Sequence, residues 1–339
     1  MTYAKAGVDI DGKSNAISHL VQTLEFRRKG KGRMLDIGGH FTGLIDFGDY
    51  ALSLCTDTVG TKIIVANEMK KWDTIGIDCM AMNVNDMICV GAEPLAFVDF
   101  ISIDRPDSDR TRQIGVGLNE GARMSNVSII GGEIAVVPEL VNGADLGGTC
   151  LGMVKKKDIV TGSKIKVGDA VIGLESSGIH SNGLTLARKI VNLAGLSWKA
   201  RPRELDRSIG EELLTPTKLY VKPVLEMLKK CRVHGMANIT GGGLRNLVRL
   251  KDGVEFRFEE PLEPQAIFDW MQKEGRVTDE EMYQIFNMGM GFAVVLPEGE
   301  VPKAIRILRA NGATAKRVGG VAKGRGVTVP HMGLSYKRY

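Results

Sequence analysis

Apolar and polar positions along this 339-residue chain change period repeatedly. Alternating or continuous apolar runs predict strands at 50–55, 94–103, 127–130, 146–154, 170–174, 233–239, 291–296 and 315–321. Helical spacing fits 16–27, 73–90, 107–124, 181–193, 218–229, 264–273, 279–286 and 302–310. Asp107 or Ser108 is placed to cap the third of these helices. Strands alternating with helices predict an α/β or α+β protein. The pattern restarts after the polar stretch that begins at Thr161-Gly162-Ser163-Lys164. That restart divides the chain into two units, 1–163 and 164–339, each opening with a strand that runs into a polar or glycine-bearing loop.

Composition narrows the class. Apolar residues make up 43% and charged residues 25%, as in an ordinary globular protein. No apolar run approaches the length of a membrane span, and the first residues lack the apolar stretch of a secretory signal. The five cysteines are odd in number and form no C-x-x-C pair, which predicts reduced thiols in a cytoplasmic protein. A net charge of +5 suits phosphorylated small molecules and is too weak for nucleic acid. The densest basic run, 27–33, reads as a solvated linker or as a flap over anionic phosphates; no aromatics interleave it for base stacking. Forty-two glycines cluster at the ends of apolar runs, where chain must turn tightly or approach a ligand.

Several segments carry candidate chemistry. The 73–90 helix holds Asp78, Asn83, Asn85 and Asp86 among isoleucines and methionines. Carboxylates on so apolar a helix require a cation or dense hydrogen bonding. Asn83 and Asp86 share one face, Asp78 and Asn85 another. Thr56-Asp57-Thr58-Val59-Gly60-Thr61-Lys62 is not a Walker A loop, yet it sets a carboxylate and an ammonium on one short segment. There Asp57 suits Mg²⁺ and Lys62 suits phosphate oxygens, although a local ion pair or turn explains them equally. Gly131-Gly132-Glu133 offers a third carboxylate at a strand end, and Asp57, Asp86 and Glu133 together make a hard-oxygen set suited to Mg²⁺. Thr240-Gly241-Gly242-Gly243, between a strand and an expected helix, forms either an anion nest or a structural turn. Ser177, His180, Ser181 and Asn182 lie at a second strand-to-helix junction; Ser181 caps a helix or binds, and His180 is a candidate for phosphate contact or proton transfer.

Nine blocks then occur in order: Tyr3-Ala4-Lys5-Ala6-Gly7-Val8-Asp9, the Thr56–Lys62 segment, Asp73-Thr74-Ile75-Gly76-Ile77-Asp78, Met82-Asn83-Val84-Asn85-Asp86, Gly91-Ala92-Glu93-Pro94, Gly131-Gly132-Glu133, Ser177-Gly178-Ile179-His180-Ser181-Asn182-Gly183, Thr240-Gly241-Gly242-Gly243 and Phe286-Asn287-Met288-Gly289-Met290-Gly291. By these blocks, from Tyr3 to about Val321, the chain resembles the phosphoribosylformylglycinamidine cyclo-ligases, also called aminoimidazole ribonucleotide synthetases.

The resemblance implies the fifth step of de novo purine synthesis: formylglycinamidine ribonucleotide and ATP give aminoimidazole ribonucleotide, ADP and phosphate. It implies an N-terminal domain whose mixed sheet joins a partner's in a dimeric β-barrel flanked by helices, and an α/β C-terminal domain. The partners it implies are a second copy, ATP and Mg²⁺, without nucleic acid or membrane. Carried over by motif, Asp57, Asp86 and Glu133 become metal and phosphate ligands. Gly60, Thr61, Lys62, Asn83, Gly131 and Gly132 line the ATP phosphates. Ser177, His180, Ser181, Asn182 and residues Thr240, Gly241, Gly242 and Gly243 face the substrate, with Lys62 and His180 as the catalytic pair. The chain departs from the family pattern at Thr58, where Gly is usual, at Ile134 and Val136, where a Thr and a Glu are usual, and at Ile179, where Pro is common. Alternatives are another ATP-binding enzyme with the same two-domain plan or a nucleotide-binding subunit without activity.

Overall fold

The computed structural model describes residues 10–338. The Tyr3–Asp9 block lies outside them. Two sheets organise the chain. The first contains β1 (Met34–Leu35), β2 (Gly43–Phe47), β3 (Tyr50–Thr58), β4 (Glu93–Ile103), β5 (Ser128–Val136) and β6 (Ala144–Lys155), in the order β1-β2-β3-β6-β4-β5. It is mixed: β4 and β5 run parallel, and its other pairs are antiparallel.

Side chains alternate across this sheet as the two-residue period demands. One face of β3, β4 and β6 buries Ala51, Cys55, Phe97, Ile101, Leu146 and Cys150. Against it lies α3 (Ile75–Ile88), preceded by α1 (Ile10–Thr23) and α2 (Lys62–Met69) and followed by α4 (Ser108–Ser125). Helices α3 and α4 meet backbone to backbone, because a Cβ on Gly76 would fall 2.1 Å from the Leu118 nitrogen. Asp107 caps α4, its carboxylate accepting from the Asp109 and Arg110 amides at 3.1 and 3.0 Å. The opposite face exposes Leu54, Val98 and Phe100, and the edge strand β5 exposes residues on both sides.

The second sheet contains β7 (Asp169–Glu175), β8 (Gly235–Asn238), β9 (Val254–Phe258), β10 (Met290–Pro297), β11 (Ala315–Lys323), β12 (Gly326–Val329) and β13 (Leu334–Tyr336), in the order β13-β12-β9-β11-β7-β10-β8. Strands β7 and β10 are almost wholly buried, which explains their unbroken apolar runs. Around them pack α5 (Leu184–Leu193), α6 (Ile209–Leu213), α7 (Val221–Leu228), α8 (Ala266–Gly275), α9 (Asp279–Ile285) and α10 (Val301–Ala310). The expected mixed α/β plan with two sheets is therefore present.

Helix boundaries shift modestly from the sequence expectations. The first helix ends at Thr23, short of the basic run. That run is anchored at its far end, where Arg33 pairs with Asp46 at 3.1 Å and the Lys31 ammonium lies 4.1 Å from the centre of the Phe47 ring. The segment 56–62 is not one loop: β3 continues to Thr58, and α2 begins at Lys62. Residues 131–133 lie inside β5 rather than in a loop beyond it.

Candidate active site at the junction of the two domains

Helix α3 is the centre of the arrangement. Its interior carries two polar faces, and each grips a different element. On one face, the fully buried Lys62 ammonium donates to Asp78 Oδ1 at 2.8 Å and to the Thr215 carbonyl at 2.6 Å. The same Asp78 oxygen accepts from the Thr217 amide at 2.8 Å and its hydroxyl at 2.6 Å. Two turns further on, Asn85 accepts from the Tyr220 amide at 3.0 Å and donates to the Lys218 carbonyl at 2.8 Å. Burial pushes the Lys62 pKa down, and the Asp78 charge opposes that push. Lys62 thus bridges α2, α3 and the 215–217 segment. It is not presented to a phosphate in this conformation, contrary to the sequence expectation, because its ammonium is enclosed on every side.

On the other face, Asn83 donates to the Cys79 carbonyl at 2.9 Å and to the Asp57 carbonyl at 3.4 Å. Asp86 accepts from Asn238 Nδ2 at 2.8 Å. Burial raises the Asp86 pKa to about 7; the Asn238 hydrogen bond opposes this, while the nearby Asp57 charge adds to it. The charge of Asp57, on a separate element, thus reaches Asp86. Asp57 Oδ1 accepts from the Thr58 amide at 2.7 Å.

Glu133 does not join them. Phe100 pairs with Glu133 and Asp99 with Gly132, so Glu133 lies on the outward face of the sheet while Asp57 and Asp99 lie on the α3 side. Asp57 pairs with Gly148 and Gly148 with Asp99, which sets both aspartates in one row across three strands. A Cβ on Gly132 would sit 2.4 Å from Asp99 Oδ1, so the bare glycine leaves room for the carboxylate as it is placed here. Among the described residues, no three His, Cys, Asp or Glu side chains converge as a metal-binding group. Asp99, absent from the sequence-derived set, stands in that row with Asp57. Its signal was a carboxylate at an inward position of the apolar run 94–103.

Thr58 is an ordinary strand residue, and the left-handed turn falls on Gly60 (φ 67°), so the Gly-to-Thr departure costs no strain. Thr61 Oγ1 lies 3.2 Å from Thr185 Oγ1 on α5, joining that turn to the second domain.

The two loops of the second domain converge near α3. Asn182 approaches Met82 Sδ at 3.9 Å, and a Cβ on Gly241 would lie 3.2 Å from Asn182 Oδ1. Ser177 donates to the Pro216 carbonyl at 2.6 Å, and Ser181 Oγ lies 3.3 Å from Thr217 Oγ1. Gly243 donates to the Thr240 carbonyl at 2.8 Å, and a 3₁₀ helix (Gly243–Leu250), not an α-helix, follows. His180 is buried with a left-handed backbone (φ 60°), and its Nε2 accepts from the Ser177 amide at 3.2 Å. Burial, with the Lys62 and Lys218 charges, lowers its pKa to about 3. In this structure the imidazole is enclosed, and its Nε2 is held by the loop's own backbone.

A cavity of about 440 Å³ opens beside Asp86, lined also by Gly39, His40, Phe41, Cys55 and Thr56. His40 is buried, and burial, helped by Arg249, lowers its pKa to about 4. A larger cavity, about 860 Å³, lies between the ends of α4 and β6 and α7; none of the predicted site residues lines it.

Residues 39–154 match the family described as AIR synthase related protein, N-terminal domain, and residues 166–331 match AIR synthase related protein, C-terminal domain. A Methanosarcina acetivorans protein named phosphoribosylformylglycinamidine cyclo-ligase is 50% identical over 308 residues, covering 91% of this chain and 92% of its own. Among solved structures, AaThiL complexed with AMPPCP and TMP superposes with a TM-score of 0.66 at 16% identity, covering 93% of this chain and 92% of that one. PurL of T. maritima complexed with ADP gives 0.61 at 14% identity, covering 92% of this chain and 46% of that one. The fold is thus that of the AIR synthase related proteins. Within that class, the chain belongs to the phosphoribosylformylglycinamidine cyclo-ligase family, a family of ligases.

Proposed function

We propose that this chain closes the imidazole ring of 5-aminoimidazole ribonucleotide from formylglycinamidine ribonucleotide, converting ATP to ADP and phosphate. Half-identity along almost the full length of a named cyclo-ligase carries this reading. The chemistry asks little covalent work of the protein. An amide oxygen leaves poorly; once it carries the γ-phosphoryl group, the substrate's own nitrogen attacks the carbon, phosphate departs and the nitrogen loses a proton. Positioning and charge neutralisation suffice.

The ATP phosphates lie near Asp57, Gly60, Thr61, Asn83 and Asp86 in this proposal. Mg²⁺ fits Asp57 and Asp86, two hard oxygen donors whose charges oppose one another, and when bound it neutralises phosphate charge. The substrate phosphate lies against the 240–243 turn, where only the Gly243 amide is taken by the turn's own bond, and against Asn182. Residues 1–163 bind ATP and form the dimer contact, and 164–339 bind substrate. A homodimer is supported by the outward apolar face of the first sheet, with Leu54, Val98 and Phe100 exposed beside the open edge of β5. A cytoplasmic setting is supported by five buried, unpaired cysteines.

The test supplies purified protein with formylglycinamidine ribonucleotide, ATP and Mg²⁺. Substrate-dependent phosphate release with aminoimidazole ribonucleotide as product is expected. ATP hydrolysis at equal rate without substrate, and no imidazole, overturns the proposal. Tight ATP binding with no turnover identifies an inactive subunit instead.

A further inference from the structure

We propose that His40 is a nucleotide-contacting residue, its imidazole supplying a hydrogen bond to ATP seated beside Asp86. This rests on the reading of Asp57 and Asp86 as the nucleotide site. Three observations lead to it. Both ring nitrogens of His40 are buried and have no hydrogen-bond partner among the described residues. Buried polar atoms are almost always paired, and an unpaired one is retained against a stability cost. The residue also lines the same 440 Å³ cavity as Asp86 and Cys55, at the edge of the site that the carboxylates define.

The third observation is that the loop holding His40 is fixed from the other domain. Arg249 donates one guanidinium nitrogen to the carbonyls of Gly39 and His40, at 3.0 and 2.9 Å. Its guanidinium carbon lies 4.2 Å from the centre of the Phe41 ring. Phe41 in turn meets the His40 ring edge-on, centroids 5.4 Å apart. A charged side chain from the 3₁₀ helix thus sets the backbone on both sides of an imidazole that the fold itself does not use. Gly38 and Gly39, both left-handed (φ 69° and 70°), bring the chain into that turn. Arg249 acts here as a positioning residue.

His40→Phe removes the hydrogen-bonding atoms and keeps an aromatic ring. Its thermal midpoint should equal or exceed that of the wild type, because an unsatisfied polar group has been deleted. The stabilisation of the protein by ATP and Mg²⁺ should shrink, and kcat/KM for ATP should fall about tenfold or more, the loss expected for one hydrogen bond to a charged ligand. His40→Asn or His40→Gln, which restore an amide near one or other ring nitrogen, should recover part of the affinity. Unchanged ATP-induced stabilisation and ATP kinetics in His40→Phe overturn the proposal. So does a lowered midpoint or failure to fold, which means that the ring is paired within the fold, and so does a loss confined to the second substrate. If the wild type binds ATP but closes no ring, the functional reading fails separately, and the binding comparison still decides the role of His40.

Discussion

Replacing Lys62 by Met separates a structural ammonium from a phosphate-binding one. Both Lys62 and Asp78 are fully buried, and their charges meet at 2.8 Å. Removing the lysine leaves the Asp78 carboxylate enclosed with, among the described residues, only Thr217 as donor and no partner for its Oδ2. Breaking one side of such a pair costs about 3–5 kcal/mol. At roughly 2–4 °C per kcal/mol, the thermal midpoint should drop by roughly 6–20 °C. Asp78→Asn on top of Lys62→Met removes the stranded charge while keeping an acceptor for Thr217. The double variant should recover part of the loss, with a coupling of about 1–3 kcal/mol in a double-mutant cycle. Denaturant unfolding of the four proteins supplies the measurement. A Lys62→Met midpoint within a degree or two of the wild type, combined with a raised KM for ATP, refutes the reasoning and restores Lys62 to phosphate binding.

Three other outcomes follow from the site and the surface. Asp86→Asn keeps the volume and the Asn238 contact but loses a charge; turnover should fall by about a hundredfold with the fold intact, read as kcat against Mg²⁺ concentration. Because the fold holds His180 neutral, with a pKa near 3 against an ordinary 6.5, the unfolded chain takes up its proton first as pH falls. The His180 contribution to stability is therefore complete above about pH 6.5 and is lost from there toward pH 3, by up to about 1.4 kcal/mol per pH unit. His180→Asn, which tolerates the left-handed backbone, should flatten that slope in denaturation curves, and parallel slopes contradict the assignment. Phe100→Glu places a charge in the exposed apolar face of the first sheet; sedimentation should show a shift from dimer toward monomer, and an unchanged assembly places the interface elsewhere.

Much of the fold was legible because apolar periodicity and caps act locally. Asp107 marked the start of α4, and the unbroken runs at 170–174 and 291–296 marked the buried strands β7 and β10. The misses have physical causes. Helix α2 begins five residues after Asp57, directly behind the Gly60 turn, so its first residue read as part of the loop. The strands β9, β12 and β13 gain their burial from neighbours distant in the chain. Residues 131–133 read as a strand end, but they lie inside β5, where Gly132 pairs with Asp99 of β4. The candidate site was legible as residue types and illegible as geometry. One residue of strand alternation decides that Glu133 faces away from Asp57, and no spacing rule reveals that Lys62 is enclosed.

The grip of α3 on the second domain has a consequence for synthesis on the ribosome. Asp78 and Asn85 find their donors at Thr217 and Tyr220, more than 130 residues later in the chain. Until those residues emerge, Asp78 keeps its Lys62 partner but Asn85 lacks both of its backbone partners, so this face of α3 stays hydrated. The nascent N-terminal half therefore remains open along that helix and closes only when residues 215–220 arrive. A fragment ending near residue 163 should accordingly be soft and prone to self-association, although its own sheet is complete. The two halves are thus coupled along α3, the helix whose other face carries Asn83 and Asp86.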